Sequence, residues 1–191
     1  MTAPATTTAE RTAAISTLLL AFSLDPIIRW LWPDVDDYRD AFGELVRLEG
    51  APALAADTVD VTQHAEGAAV WNPPGTSSDE DAVVDLIQRS LPAHRLDEVF
   101  DLFEQADHHH PREAHWYLPF IDIDPDHQRQ GHGSSLLEHG LARCDRDRLP
   151  AYLEASTPRN RALYERYGFE VTAELKAGDS PPLWPMLRAP R

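Results

Sequence analysis

The chain is short of several things, and each shortage excludes a class of protein. It has one cysteine, Cys144, in 191 residues, so no disulfide forms within the chain. It has a single lysine, Lys176; its other basic residues are arginines, and 17 basic residues face 32 acidic ones for a net charge of −15. That balance disfavours nucleic acid and anionic membranes as partners and favours attraction of a cationic substrate. A solvated acidic surface that keeps the protein soluble is the plainer explanation of the same charge. No apolar run approaches the length of a membrane span. The opening "MTAPATTTAE" lacks the basic start and apolar core of a secretory signal. A cytoplasmic protein is expected, with residues 1–9 as a disordered lead.

What remains is an ordinary globular composition, 42% hydrophobic and 26% charged, suited to a single domain over 10–191. In the first part, 10–114, "AERTAAISTLLLAF" places Ala14, Leu18 and Phe22 on one helical stripe. "DPIIRWLWPD" interrupts the pattern with two prolines. "DVDDYRDAFGELVRLEG" carries acids at its start and Gly50 at its end, as a helix should. "TVDVTQH" and "EGAAVWN" read as strands around a Glu66-Gly67 turn, and no strand is evident before the first helix. Ser78 and Asp81 resemble a capping box for two further helical stretches split near Pro92. "ADHHHPREAH" reads as a polar connector.

The second part, 115–191, alternates strand and helix: "AHWYLPFIDID", a helix over 131–147, "AYLEAS", a helix "PRNRALYERYG", then "FEVTAEL" and "LWPMLRA" as strands. The order β-α-β-α-β-β predicts an α/β (α+β) fold, a mixed sheet covered by helices. Between the first strand and helix stands "QRQGHG", Gln128 to Gly133. Backbone N–H groups at a helix N-terminus are unpaired and hold anions, and glycines let an anion approach the main chain. A plain strand-to-helix turn remains the simpler alternative.

"QRQGHG" resembles the Gln/Arg-x-x-Gly-x-Gly/Ala signature of the GNAT acetyltransferase superfamily. "NRALYERYGF", 160–169, resembles its second acetyl-CoA motif, in the right order and with a strand between. Within the superfamily, "HWYLPFIDIDPDHQRQGHGSSLL", "PAYLEAS" and the "W-x-M-x-R" ending look like the puromycin N-acetyltransferase-related branch. The resemblance implies the GNAT fold, with N-terminal helices over the acceptor side. It implies acetyl-CoA as co-substrate, no metal, and direct transfer of acetyl to a small-molecule amine. A protein lysine or N-terminal acetyltransferase, or a silent acyl-CoA-binding regulator, is the alternative. A homodimer is left open.

Residue by residue, the resemblance puts Gln128, Arg129, Gln130, Gly131, His132, Gly133 and Ser134 around the diphosphate. It lays the pantetheine arm along the backbone of Ile121 and Ile123, where an N–H near Ile123 stabilises an oxyanion. Asn160 matches a residue contacting the arm, and reads equally as a helix cap. Tyr164 matches the usual general acid; a tyrosine is protonated at neutral pH and can donate to a departing thiolate. Glu154, a carboxylate on a mostly apolar strand, is the expected base, directly or through water; Asp122 and solvent are alternatives. Trp30, Trp32 and Tyr38 either wall the acceptor pocket or fill the core. The histidines His108, His109, His110 and His115 read as a solvated loop rather than a metal site. Cys144 reads as packing.

Overall fold

The computed structural model describes residues 2–191. Its strands are β1 (Thr2–Pro4), β2 (Val59–Thr62), β3 (Gly67–Asn72), β4 (Trp116–Ile123), β5 (Ala151–Ala155), β6 (Glu170–Val171) and β7 (Trp184–Arg188). Its helices are α1 (Thr8–Ala21), α2 (Pro26–Leu31), α3 (Val35–Glu49), α4 (Ala51–Ala55), α5 (Glu80–Ser90), α6 (Ala93–His109), α7 (His132–Asp147) and α8 (Pro158–Arg166). The strands form one sheet in the order β1-β2-β3-β4-β5-β7-β6. Every neighbouring pair is antiparallel except β4 and β5, which run parallel. The mixed sheet covered by helices is therefore present.

Several local expectations are corrected. The lead over 1–9 holds a strand, because Thr2, Ala3 and Pro4 pair with Thr62, Val61 and Asp60. Thr7 then caps α1 through a reciprocal capping box with Glu10. Pro26 does not interrupt the helical region; it occupies the first turn of α2, where a missing N–H costs nothing, and Asp25 caps that helix. The cap of α5 is Asp79, which accepts from the Ala82 N–H, while the Ser78 hydroxyl donates to Glu49. The helix α6 runs on through His108 and His109, so only His110 and beyond form the connector.

Two cores lie on the two faces of the sheet. Ala14 and Leu18 of α1, Phe42 and Val46 of α3, Leu86 of α5 and Val99 of α6 pack with Val61, Val70 and Phe120 on one face. Leu136, Leu137 and Leu141 of α7 and Tyr164 of α8 pack with Leu118, Ile121, Ile123 and Leu153 on the other. Along β4 the alternation changes phase. Tyr117 pairs with Asn72 but Phe120 pairs with Val70, so three steps on β4 oppose two on β3, a bulge spanning Pro119. Pairing of β4 with β5 is confined to Trp116–Ala151 and Tyr117–Tyr152. Past that point the two parallel strands part company.

Candidate active site

A cavity of about 670 Å³ lies where β4 and β5 separate. Its lining draws on Ile121, Asp122 and Ile123 of β4, on the loop Gln128–Ser134, on Thr157, Asn160 and Tyr164 around α8, and on Ala21, Leu24 and Asp25 ahead of α2.

The loop is shaped by two residues with positive φ, Arg129 at 64° and Gly131 at 88°. Successive backbone N–H groups in such a turn point to one side and form a concave anion site, here at the start of the 16-residue helix α7. Gly131 is required for its φ, whereas Gly133 is not left-handed; a Cβ there would meet only Ile123 Cγ1 at 3.7 Å. The two glycines thus do different things. Gln128 ties the parts together: its Nε2 donates to the Ile123 carbonyl at 3.3 Å and its Oε1 accepts from Arg159 at 2.8 Å. The residues present fit a diphosphate and a peptide-like arm. Gln130 and His132 are absent from the cavity lining, although both were expected at the cofactor.

Tyr164 is buried at the cavity, and among the described residues nothing accepts or donates a hydrogen bond at its hydroxyl. Burial, then the nearby Asp122 and Asp25 carboxylates, push its acidity well down, so it stays a proton donor. Asn160 also faces the cavity; the α8 cap is Thr157, which accepts from the Asn160 N–H at 3.1 Å.

Two acids share the cavity. Asp25 is buried; one carboxylate oxygen accepts from the Ile27 and Ile28 N–H groups at 3.0 Å, and the other accepts from the Ser156 hydroxyl. Burial outweighs those bonds and raises its pKa. Asp122 accepts from the neighbouring Ile123 N–H at 2.7 Å, and burial lifts it to about 6. Sequence reasoning read Asp25 only as part of a helix interruption. Its Asp-Pro setting announces a cap, but nothing local shows that Ser156, 131 residues away, closes over it.

Glu154 stands apart from this lining. It is half-buried, on the opposite sheet face from Leu153 and Ala155. The Tyr117 hydroxyl donates to Glu154 Oε2 at 3.0 Å. Burial, opposed by the nearby Tyr152 hydroxyl and the bond from Tyr117, lifts Glu154 to about 7. The aromatic acceptor wall is corrected. Trp32 and Tyr38 belong to the core, the Trp32 indole donating to Ser90 at 3.0 Å and the Tyr38 hydroxyl donating to the Leu19 carbonyl. Trp30 donates to Asp179 at 3.0 Å under the Arg95 guanidinium. None of the three lines the cavity. They were drawn off by packing that a local sequence window does not reveal.

His110 and His115 meet at 3.0 Å between their Nε2 atoms rather than standing in solvent, and burial depresses His110 to about 4. Among the described residues no group of three or more metal-ligating side chains assembles. Cys144 is buried against α7's neighbours, and burial pushes its thiol up to about 12. Among the described residues no helix is long and apolar enough to cross a membrane.

Comparison with known proteins agrees with this geometry. Residues 101–171 match the model of the acetyltransferase (GNAT) domain. An uncharacterized N-acetyltransferase of Schizosaccharomyces pombe is 31% identical over 93 residues, which are 47% of this chain and 36% of that protein. The chain therefore spans about a third of the length of that relative. Among solved structures, the histone acetyltransferase HPA2 and related acetyltransferase of Corynebacterium glutamicum is 27% identical, covering 100% of this chain and 96% of its own, with a TM-score of 0.70. Arylalkylamine N-acetyltransferase 2 of Aedes aegypti is 11% identical, covering 100% and 99%, also at 0.70, and shows the shared fold.

Proposed function

We propose that the protein is an acyl-CoA-dependent N-acetyltransferase that moves acetyl directly from acetyl-CoA to the primary amine of a small molecule. One observation carries this: a single cavity of about 670 Å³ is lined both by an anion-binding loop and by Tyr164, Asp25 and Asp122. Acetyl-CoA supplies an activated thioester. The N–H groups of 129–134 hold its diphosphate, and the free edge of β4 at Ile121 and Ile123 accepts its amide arm as an added strand does.

The rest of the chemistry falls to side chains. The amine nitrogen attacks the thioester carbon, and the C–S bond breaks. Tyr164 gives its proton to the departing thiolate. Glu154, lifted to about 7, is matched to take up the amine proton near neutral pH; it lies outside the cavity lining, so that proton reaches it through water. Holding donor and acceptor in line in the cavity supplies much of the acceleration, up to ~7–11 kcal/mol in favourable intramolecular reactions.

The acceptor end is acidic rather than aromatic, which suits a protonated amine. The arylalkylamine acetyltransferase with this fold acts on amines of that kind by its name. The resemblance to the puromycin-acetylating branch adds aminonucleosides to the same class. The Corynebacterium structure favours a second reading, since its name includes a histone acetyltransferase. A panel of arylalkylamines, diamines, aminonucleosides and lysine peptides, followed by thiol release from acetyl-CoA, separates them. Turnover of small amines is expected. Turnover confined to peptides removes the small-amine acceptor, and a protein that binds CoA without releasing thiol is a regulator instead.

A further inference from the structure

The Ile123 N–H faces away from β3 and is already bonded: it donates to Asp122 Oδ1 at 2.7 Å. That donor lies on the β4 edge past the last pair with β5, within the cavity lining. The Asp122 carboxylate and a carbonyl of the acyl-pantetheine arm therefore compete for one N–H. Resting on the acetyltransferase reading above, we propose that Asp122 is a placeholder: the arriving arm displaces its carboxylate from the Ile123 N–H and turns it toward the acceptor end of the cavity, so that donor binding readies the acceptor subsite.

The surroundings make the displacement consequential. The charged and titratable groups close enough to act on Asp122 through their fields are Asp25 ahead of α2, Tyr164 and Arg159 on α8, and Tyr38 on α3. Asp25 has both oxygens committed, to two backbone N–H groups and to Ser156. It is held in place and cannot move to meet a ligand without uncapping α2. Among the described residues Asp122 makes one hydrogen bond, from a donor that the arm can claim. Losing that bond removes an interaction that favours the charged form, next to a second carboxylate. The freed Asp122 then binds a proton or an ammonium more readily. Acetyl-CoA binding should therefore take up protons, and by linkage it should tighten as pH falls toward 6.

Calorimetry with acetyl-CoA tests this, with 3′-phospho-ADP as the probe that carries the same phosphates and no arm. Asp122→Ala frees the N–H, so acetyl-CoA affinity should rise about tenfold, the order expected for a hydrogen bond to a charged group. The wild type should bind acetyl-CoA more tightly at pH 5.5 than at pH 8, and the variant should lose that dependence. Affinity for 3′-phospho-ADP should be the same in both proteins at each pH. Asp122→Asn keeps the acceptor atom without the charge; it should lose the pH dependence with a smaller gain, and serves if the alanine variant is unstable. Equal or weaker acetyl-CoA binding in both variants overturns the placeholder. A wild type that binds neither ligand instead overturns the acetyltransferase reading itself.

Discussion

Glu154→Gln should make the protein more stable, and most at the upper end of the pH range. Glu154 is lifted to about 7 from an ordinary 4.5, chiefly by burial. Between those values the folded protein binds a proton that the unfolded chain has released. Stability therefore falls as pH rises through this window, and the loss is complete above about 7. At ~1.4 kcal/mol per pH unit the gap corresponds to ~3 kcal/mol. Glutamine has nearly the same shape and never ionises. Its carbonyl can accept from Tyr117 as Glu154 does, and its amide can donate to Tyr152, whose buried hydroxyl has no partner of hydrogen-bonding geometry. The variant should gain ~1 kcal/mol at pH 5 and ~3 kcal/mol at pH 8, the latter about 6–12 °C in Tm for a chain of this size. Thermal melts of both proteins at the two pH values measure this. Asp122 and His110 titrate in the same range, but they do so in both proteins, so the difference isolates Glu154. An equal Tm offset at pH 5 and pH 8 refutes the buried, uncompensated carboxylate. If Glu154 is also the base, kcat falls in the more stable variant.

Tyr164→Phe should lower kcat by ~10²–10⁴ with CoA affinity unchanged by calorimetry; wild-type kcat would reduce the ring to packing. Gly131→Val places a β-branched residue at φ 88°, and CoA affinity should drop at least about tenfold in a folded variant as the loop is rebuilt. Arg143→Ala should cost ~3–5 kcal/mol in denaturant melts, because Asp60, fully buried and gripped by both Arg143 Nη atoms, is left charged and unpaired; a cost under ~1 kcal/mol would mean the nearby His139 suffices.

The C-terminal half was legible because its signals are local. Glycine at a left-handed position, a Thr-Pro helix start at Thr157 and Pro158, and alternating apolar strands each act within a few residues. The N-terminal half was less so. Thr2–Pro4 carry no strand pattern of their own and are strand only because β2 offers an edge. Trp32 and Tyr38 could not be assigned from sequence, since a tryptophan in a pocket wall and one in a core look alike until Ser90 and the Leu19 carbonyl are seen to satisfy their polar ends. Asp25 enters the site through Ser156, a contact that no local pattern encodes.

The site itself follows from one irregularity. In "WYLPFIDI" proline interrupts the strand, and proline has no N–H to give to a neighbour. The bulge across Pro119 shifts the alternation, so Leu118 and Ile121 both reach the α7 face while Phe120 goes to the other. A bulged strand bends and twists more strongly. Two residues before the proline, pairing with β5 stops, and the N–H groups beyond that face away from β3 are left without a strand partner. An unpaired edge inside a fold is costly unless something accepts from it. Asp122 answers that need for Ile123 from within the chain. The same requirement makes the edge receptive to an amide-bearing ligand, so the break in the sheet and the capacity to bind such a ligand have one physical cause.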